Sequence, residues 1–240
     1  MTPSRTPTFL SAVCLCATLA ACGGGGDDAS APTTPAGPTF ASCFDVTAGT
    51  AFIEKSTDEG GDDAGRNSVV LVKEAFEGAL RSGSVDMSDD SSTAVRSSVF
   101  YWSQESNGIR FWGFLDYDST GSAQAKTVHS DGYTLPLAMQ AGQAAALTYT
   151  DTATQLTGTS SGQVTTTTNQ ETWTFEGFET LTLGGKTFTD TCRIKTLQTS
   201  VDGPSTLWFA KGFGLIRALH TNTAGTVLEE SVLETVTTQP

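Results

Sequence analysis

Histidine is nearly missing from this chain, with two residues in 240, His129 and His220. The side chain most used as a general base and metal ligand is therefore in short supply, which removes most candidates for zinc chemistry and histidine-dependent hydrolysis. Positive charge is scarce too. Thirteen lysines and arginines stand against 26 aspartates and glutamates, a formal net charge of −13, and no basic cluster interrupts the acidic background. Nucleic-acid binding, which depends on Lys and Arg displacing phosphate counterions, is excluded as a role, and an anionic bilayer surface would repel the protein body. No apolar run reaches the roughly 20 residues that span a bilayer, and no convincing amphipathic helical period is present.

What the chain does have begins at its N-terminus. MTPSRTPTFLSAVCLCATLAAC carries Arg5 as its single charge, followed by an apolar stretch from Phe9 to Ala21 that ends in small residues. That is the layout of a secretory signal peptide, residues 1–21. Leu19-Ala20-Ala21-Cys22 fits a bacterial lipobox, so Cys22 is predicted to carry the lipid and to become the new N-terminus. Residues 22–39, rich in Gly, Pro, Ala and Thr, cannot bury enough apolar surface to fold and read as a flexible tether. Residues 40–240 are long enough for one domain. Of five cysteines, Cys14 and Cys16 leave with the signal and Cys22 is acylated. Cys43 and Cys192 remain for an oxidising compartment and are predicted to form a disulfide, the alternative being separate thiols or a metal pair short of further ligands.

The domain reads as all-β. Around Trp173 and Phe175, Leu181 and Leu183, then Phe188, Cys192 and Ile194, apolar residues alternate with polar ones at the period of a half-buried strand. Gly184-Gly185 supplies the positive φ angles of a tight hairpin turn. Asn107-Gly108, between VFYWSQE and IRFWGFLDY, predicts a second two-residue hairpin turn with left-handed backbone at both positions. Thr50 to Ser56, Ser68 to Glu77, Tyr133 to Leu137 and Gln143 to Thr150 are further strands, and Thr152 to Asn169 is a hydroxyl-rich hairpin turning near Ser160 to Gly162. Eight or more strands with short turns must hide one face and protect their edges, so the sheet is expected to curl. A single curved antiparallel sheet, half-barrel or barrel, is the expected fold, with a two-sheet β-sandwich as the alternative.

The run FETLTLGGKTFTDTCRI followed by LWFAKGFGLIR resembles the C-terminal pattern of small, mostly uncharacterised bacterial envelope lipoproteins, in which a glycine-turn hairpin precedes a W-F-x-x-G-x-G-L-I strand pair. It covers about a fifth of the chain. The group is similar to the curved-sheet half-barrel proteins that handle lipoproteins or other hydrophobic cargo, which implies a curved antiparallel sheet and carries over no catalytic residue. By the sorting preferences of such lipoproteins, Gly23 after Cys22 implies the outer membrane.

Candidate chemistry is thin. His129-Ser130-Asp131 contains the residue types of a hydrolase triad, but neighbours on an extended chain face opposite ways and no strained serine turn is present, so a loop is the expected reading. Asp58, Glu59, Asp62 and Asp63 surround Gly60-Gly61 without the spacing of a known calcium loop, leaving a solvated turn or a calcium site open. No cofactor is expected, and the protein is expected not to be an enzyme. The remaining signal is aromatic. Trp102, Phe111, Trp112 and Phe114 flank Asn107-Gly108 and place aromatics on both strand faces, more than a one-sided sheet requires. They are the candidate ligand-binding residues, for a hydrophobic small molecule or an envelope protein partner, with the membrane engaged through the lipid. A glycan-binding surface module, presenting coplanar exposed tryptophans, is the competing expectation, and an envelope hydrolase a weaker one.

Overall fold

A computed structural model describes residues 37–240. The signal peptide, the lipobox with Cys22 and most of the tether lie outside the described residues. A short 3₁₀ turn, Phe40–Phe44, precedes thirteen strands: β1 (Ala51–Asp58), β2 (Asp63–Phe76), β3 (Ala79–Met87), β4 (Arg96–Gln104), β5 (Ile109–Tyr117), β6 (Ala123–His129), β7 (Thr134–Leu135), β8 (Ala144–Gln155), β9 (Val164–Leu183), β10 (Lys186–Gln198), β11 (Ser205–Ala210), β12 (Gly214–Thr221) and β13 (Val227–Thr238).

Each strand pairs antiparallel with its neighbour in sequence, except that β7 steps aside to pair with β5 and β6 pairs directly with β8. The last strand, β13, pairs with β1, which turns the meander into a closed barrel of 12 strands. Closure removes the sheet edges that an open sheet would have to protect. This is the curved antiparallel sheet expected from the alternating strands, and one continuous ring of pairings leaves no sandwich.

Hairpin turns set the register locally, though not all where the sequence suggested. Gly184 and Gly185 both adopt positive φ, 55° and 73°, as a primed turn demands. The corresponding turn between β2 and β3 is Glu77-Gly78, with φ of 48° and 76°. Asn107-Gly108 is different. The hairpin between β4 and β5 forms there, but neither residue is left-handed; Glu105 N–H donates to Gly108 O at 2.8 Å across a wider loop. Gly108 is needed for space, since a Cβ at that position would lie 2.3 Å from the Leu135 carbonyl of β7. The acidic segment after β1 is also shorter than its composition suggested, because β2 begins at Asp63 and runs out through polar residues whose backbones still pair. The segment written His129-Ser130-Asp131 is not all loop, since His129 ends β6 and is buried.

The core has three parts. Inside the barrel, Trp102, Phe111, Tyr133, Trp173, Phe175 and Ile194 pack around the 3₁₀ turn, whose Phe40 and Phe44 point into them. A bridge between Cys43 and Cys192, with Cα atoms 6.0 Å apart, ties this turn to β10, and Trp102 Nε1 donates to the Phe44 carbonyl at 3.1 Å. The outer faces of β2 to β6 hold a second cluster, in which Val85, Val99 and Tyr101 are buried and Phe76 stacks on Tyr101 at 4.3 Å. A third lies under the end of the long β9–β10 hairpin. Beyond Gly177 this hairpin has left the flanking strands, and it bends where the β9–β10 register shifts near Asp190, itself at φ 56°. Its Leu181, Leu183 and Phe188 pack with Phe52, Trp208, Phe213 and Leu233, and Gly184 seats against the Glu234 carbonyl of β13.

Candidate functional site

Side chains of a strand alternate in direction, so the closed ring divides every strand into an inner and an outer set. The inner sets of β1, β2, β3, β4, β5, β9, β10, β11, β12 and β13 converge on a cavity of about 460 Å³. Its apolar wall is built from Phe100, Trp102, Phe111, Tyr133, Trp173 and Phe209. The 3₁₀ turn lies beneath it, the Phe44 ring being 4.8 Å from Phe209 and 6.0 Å from Phe111. A cavity of this size, largely aromatic and with a few convergent polar groups, has the proportions of a small-molecule site.

The polar groups are hydroxyls and carboxylates. Ser84, Thr196, Ser205 and Ser231 contribute hydroxyls, and Glu54, Asp86 and Glu171 contribute carboxylates; no lysine or arginine is among the lining residues. Burial pushes the Glu54 carboxyl above its usual range, with a hydrogen bond from Ser231 opposing and the like charges of Asp86 and Glu229 adding to the rise. Asp86 is raised for the same first reason, burial, while Ser98 Oγ donates to its Oδ2 at 2.9 Å. Tyr149 O–H reaches Glu171 at 3.4 Å. Trp173 is 4 % exposed, and its indole N–H has no acceptor among the described residues.

The four aromatic residues singled out from the sequence separate. Trp102 and Phe111 line the cavity. Phe114 faces inward but lies deeper along the wall, against His129 at 6.0 Å and paired across strands with Phe100. Trp112 is on the outer face and away from the cavity: the guanidinium carbons of Arg81 and Arg110 each lie 3.6 Å from its ring centre, so both faces are covered, and its N–H donates to Ser103. The other three tryptophans, Trp102, Trp173 and Trp208, are buried.

His129, Ser130 and Asp131 diverge. His129 Nδ1 lies 2.6 Å from Asp151 Oδ1, and Asn169 donates to the other Asp151 oxygen at 2.7 Å. Ser130 Oγ accepts from the Thr150 N–H, and Asp131 pairs with Arg110 on the surface. Burial lowers the His129 pKa against the pull of Asp151, and the ring packs edge-on to Tyr133 and Tyr149, which stack at 4.0 Å. In the acidic turn, Asp58 Oδ1 accepts from the Gly60 and Asp62 N–H groups and Asp63 pairs with Arg66, so these two carboxylates are occupied by the protein itself.

Two features were not read from the sequence. One is the set of inward carboxylates. Phe52, Glu54 and Ser56 alternate on one face of β1, and a carboxylate in register with a buried phenylalanine was the available signal. The other is Ser205, whose hydroxyl is 3.1 Å from His220 Nδ1 on the next strand, with Glu229 opposite His220 in register. Residues 205 and 220 are brought together only by the β11–β12 pairing. No carboxylate is hydrogen-bonded to His220 among the described residues, so a nucleophile, base and orienting acid are not linked there.

No family model and no curated protein matches the chain. Among solved structures, it is similar to an exported protein with a YmcC-like fold from Bacteroides fragilis, at 14% identity and TM-score 0.48, covering 81% of this chain and 98% of that one. It is also similar to a lipoprotein from Parabacteroides distasonis, at 16% identity and TM-score 0.43, covering 82% and 98%. A third similar chain is the hypothetical lipoprotein YmcC from Escherichia coli, at 16% identity and TM-score 0.40, covering 80% and 85%.

Proposed function

We propose that this protein is a lipid-anchored envelope lipoprotein that binds a hydrophobic small molecule inside its barrel and performs no chemistry on it. The observation that carries the reading is the cavity of about 460 Å³ walled by Phe100, Trp102, Phe111, Tyr133, Trp173 and Phe209. Aromatic side chains that line open space forfeit packing contacts that a ligand can restore, and each 100 Å² of apolar ligand surface removed from water contributes about 2.5 kcal/mol before association costs. The Leu19-Ala20-Ala21-Cys22 segment supports attachment through a lipid on Cys22, with the outer membrane as its site and the tether giving the barrel reach.

The test is a titration of the mature chain with the neutral, environment-sensitive dye N-phenyl-1-naphthylamine. Saturable binding at one site is expected, lost in Ala218→Trp, which places an indole in the cavity, while circular dichroism stays that of the parent barrel. Absence of saturable binding to the parent chain refutes the reading. Unchanged binding in a folded Ala218→Trp variant moves the site elsewhere. A glycan-binding surface is the less favoured role, because Trp102, Trp173 and Trp208 are buried and both faces of Trp112 are covered by arginines.

A further inference from the structure

The cavity that accounts for an apolar ligand also carries charge of one sign only. Glu54 and Asp86 come from β1 and β3 and Glu171 from β9, so carboxylates enter from two sides of one aromatic chamber. Buried or half-buried carboxylates are ordinarily stabilised by a cation, because desolvation without a partner is expensive. Three carboxylates on the outer face keep that rule. Glu74 holds Arg96 through two bonds of 3.0 Å, Glu234 holds Arg66, and Glu230 holds Arg217, all on the outer face. The lining carboxylates have no such partner among the described residues: hydroxyls from Ser98 and Tyr149 are what reach Asp86 and Glu171. Glu54 is held by a lone serine and opposed by two neighbouring acids. The aromatic walls point the same way, since the faces of Trp and Phe attract cations electrostatically. Trp173, in the same wall, has an indole donor without an acceptor among the described residues, which suits a ligand with a hydrogen-bond acceptor near its charge.

We infer that the ligand of the barrel is a cationic amphiphile, an ammonium or amidinium group set between Glu54, Asp86 and Glu171 with its apolar part against Trp102, Phe111 and Phe209. This rests on the cavity being the binding site, and the experiment separates the two statements. Dodecyltrimethylammonium, dodecyl maltoside and dodecyl sulfate, each below its micelle concentration, compete with the neutral dye for the mature chain. The expected result is that the cationic detergent displaces dye at concentrations about tenfold lower than the neutral one, with the sulfate weakest. In Glu54→Gln/Asp86→Asn that preference should disappear with dye binding retained, whereas Asp90→Asn, in the exposed loop after β3, should leave it intact. Equal competition by all three detergents, or a preference that survives in the double variant, overturns the inference and leaves the apolar cavity standing. No dye binding at all overturns both.

Discussion

Removing the Cys43–Cys192 bridge is expected to be the most damaging small change to this domain. The two cysteines are 149 residues apart, and the bridge joins the 3₁₀ turn to β10 near the start of the strand's pairing with β11. On the chain-entropy model, closing a loop of that length constrains the unfolded chain by about 5 kcal/mol. For a domain of this size the loss corresponds to a fall in Tm of roughly 10–20 °C. The turn is also held by the buried Phe40 and Phe44, by the hydrogen bond from Trp102 Nε1 to the Phe44 carbonyl, and just beyond it by the Gly212 N–H donating to the Asp45 carbonyl at 2.7 Å. The turn lies directly under the aromatic cavity, so on the proposed function a double Cys43→Ser/Cys192→Ser variant should lose dye affinity along with stability. Urea unfolding followed by tryptophan fluorescence and by far-ultraviolet circular dichroism measures the effect. A shortfall below about 1 kcal/mol would show that the N-terminal turn is held by its packing and that the long loop is already constrained in the unfolded chain.

Four other outcomes follow from particular residues. Glu54→Gln and Asp86→Asn should raise Tm at pH 7, because each carboxyl is pushed above its usual range by burial. A folded pKa raised above the unfolded value means that the folded state binds the proton more tightly, so the parent chain gains stability from these groups as pH falls toward their unfolded values. The double variant should flatten that slope in melts between pH 7 and 5, and an unchanged slope refutes the assignment. Gly108→Ala should cost about 1–3 kcal/mol by overpacking against the Leu135 carbonyl, and Gly108→Asn no less. Gly185→Ala, at φ 73° in open space, should cost about 1–2 kcal/mol and be largely rescued by Asn, so equal behaviour of the two sites in thermal melts would refute this distinction. Mass spectrometry of membrane-extracted protein should give an acylated N-terminal peptide beginning at Cys22, and a mature N-terminus elsewhere would remove the anchor from the model of function.

The strand content was legible because alternation is a local property. Cys192 and Ile194 share one side of β10, with Phe188 turned to a different cluster by the register shift near Asp190, and Gly184-Gly185 turns where two glycines permit positive φ. Closure was not local. It depends on β13 reaching β1 across some 180 residues of sequence, and no pattern in either strand names the other. The Asn107-Gly108 turn shows the same limit from the opposite side. Its dipeptide has the right local chemistry, yet β7 packs against Gly108 and imposes a wider loop.

The site was hidden for a further reason, which lies in the barrel wall. Alternation tells a reader which residues share a face, but naming the inner face requires one side to be polar. Strands β2 and β4 are apolar on both sides: Val69 and Leu71 against Val70 and Val72, Phe100 and Trp102 against Val99 and Tyr101. The outer set is covered by its own neighbours and by the Glu74–Arg96 pair, to whose carboxylate Tyr101 O–H donates at 2.6 Å. Only once the ring is closed do Glu54, Asp86 and Glu171 appear as one group, because their sequence neighbours, Lys55, Val85 and Thr172, all turn outward. An interior that collects carboxylates while the arginines stand outside is a property of the closed barrel, and no single run of residues contains it.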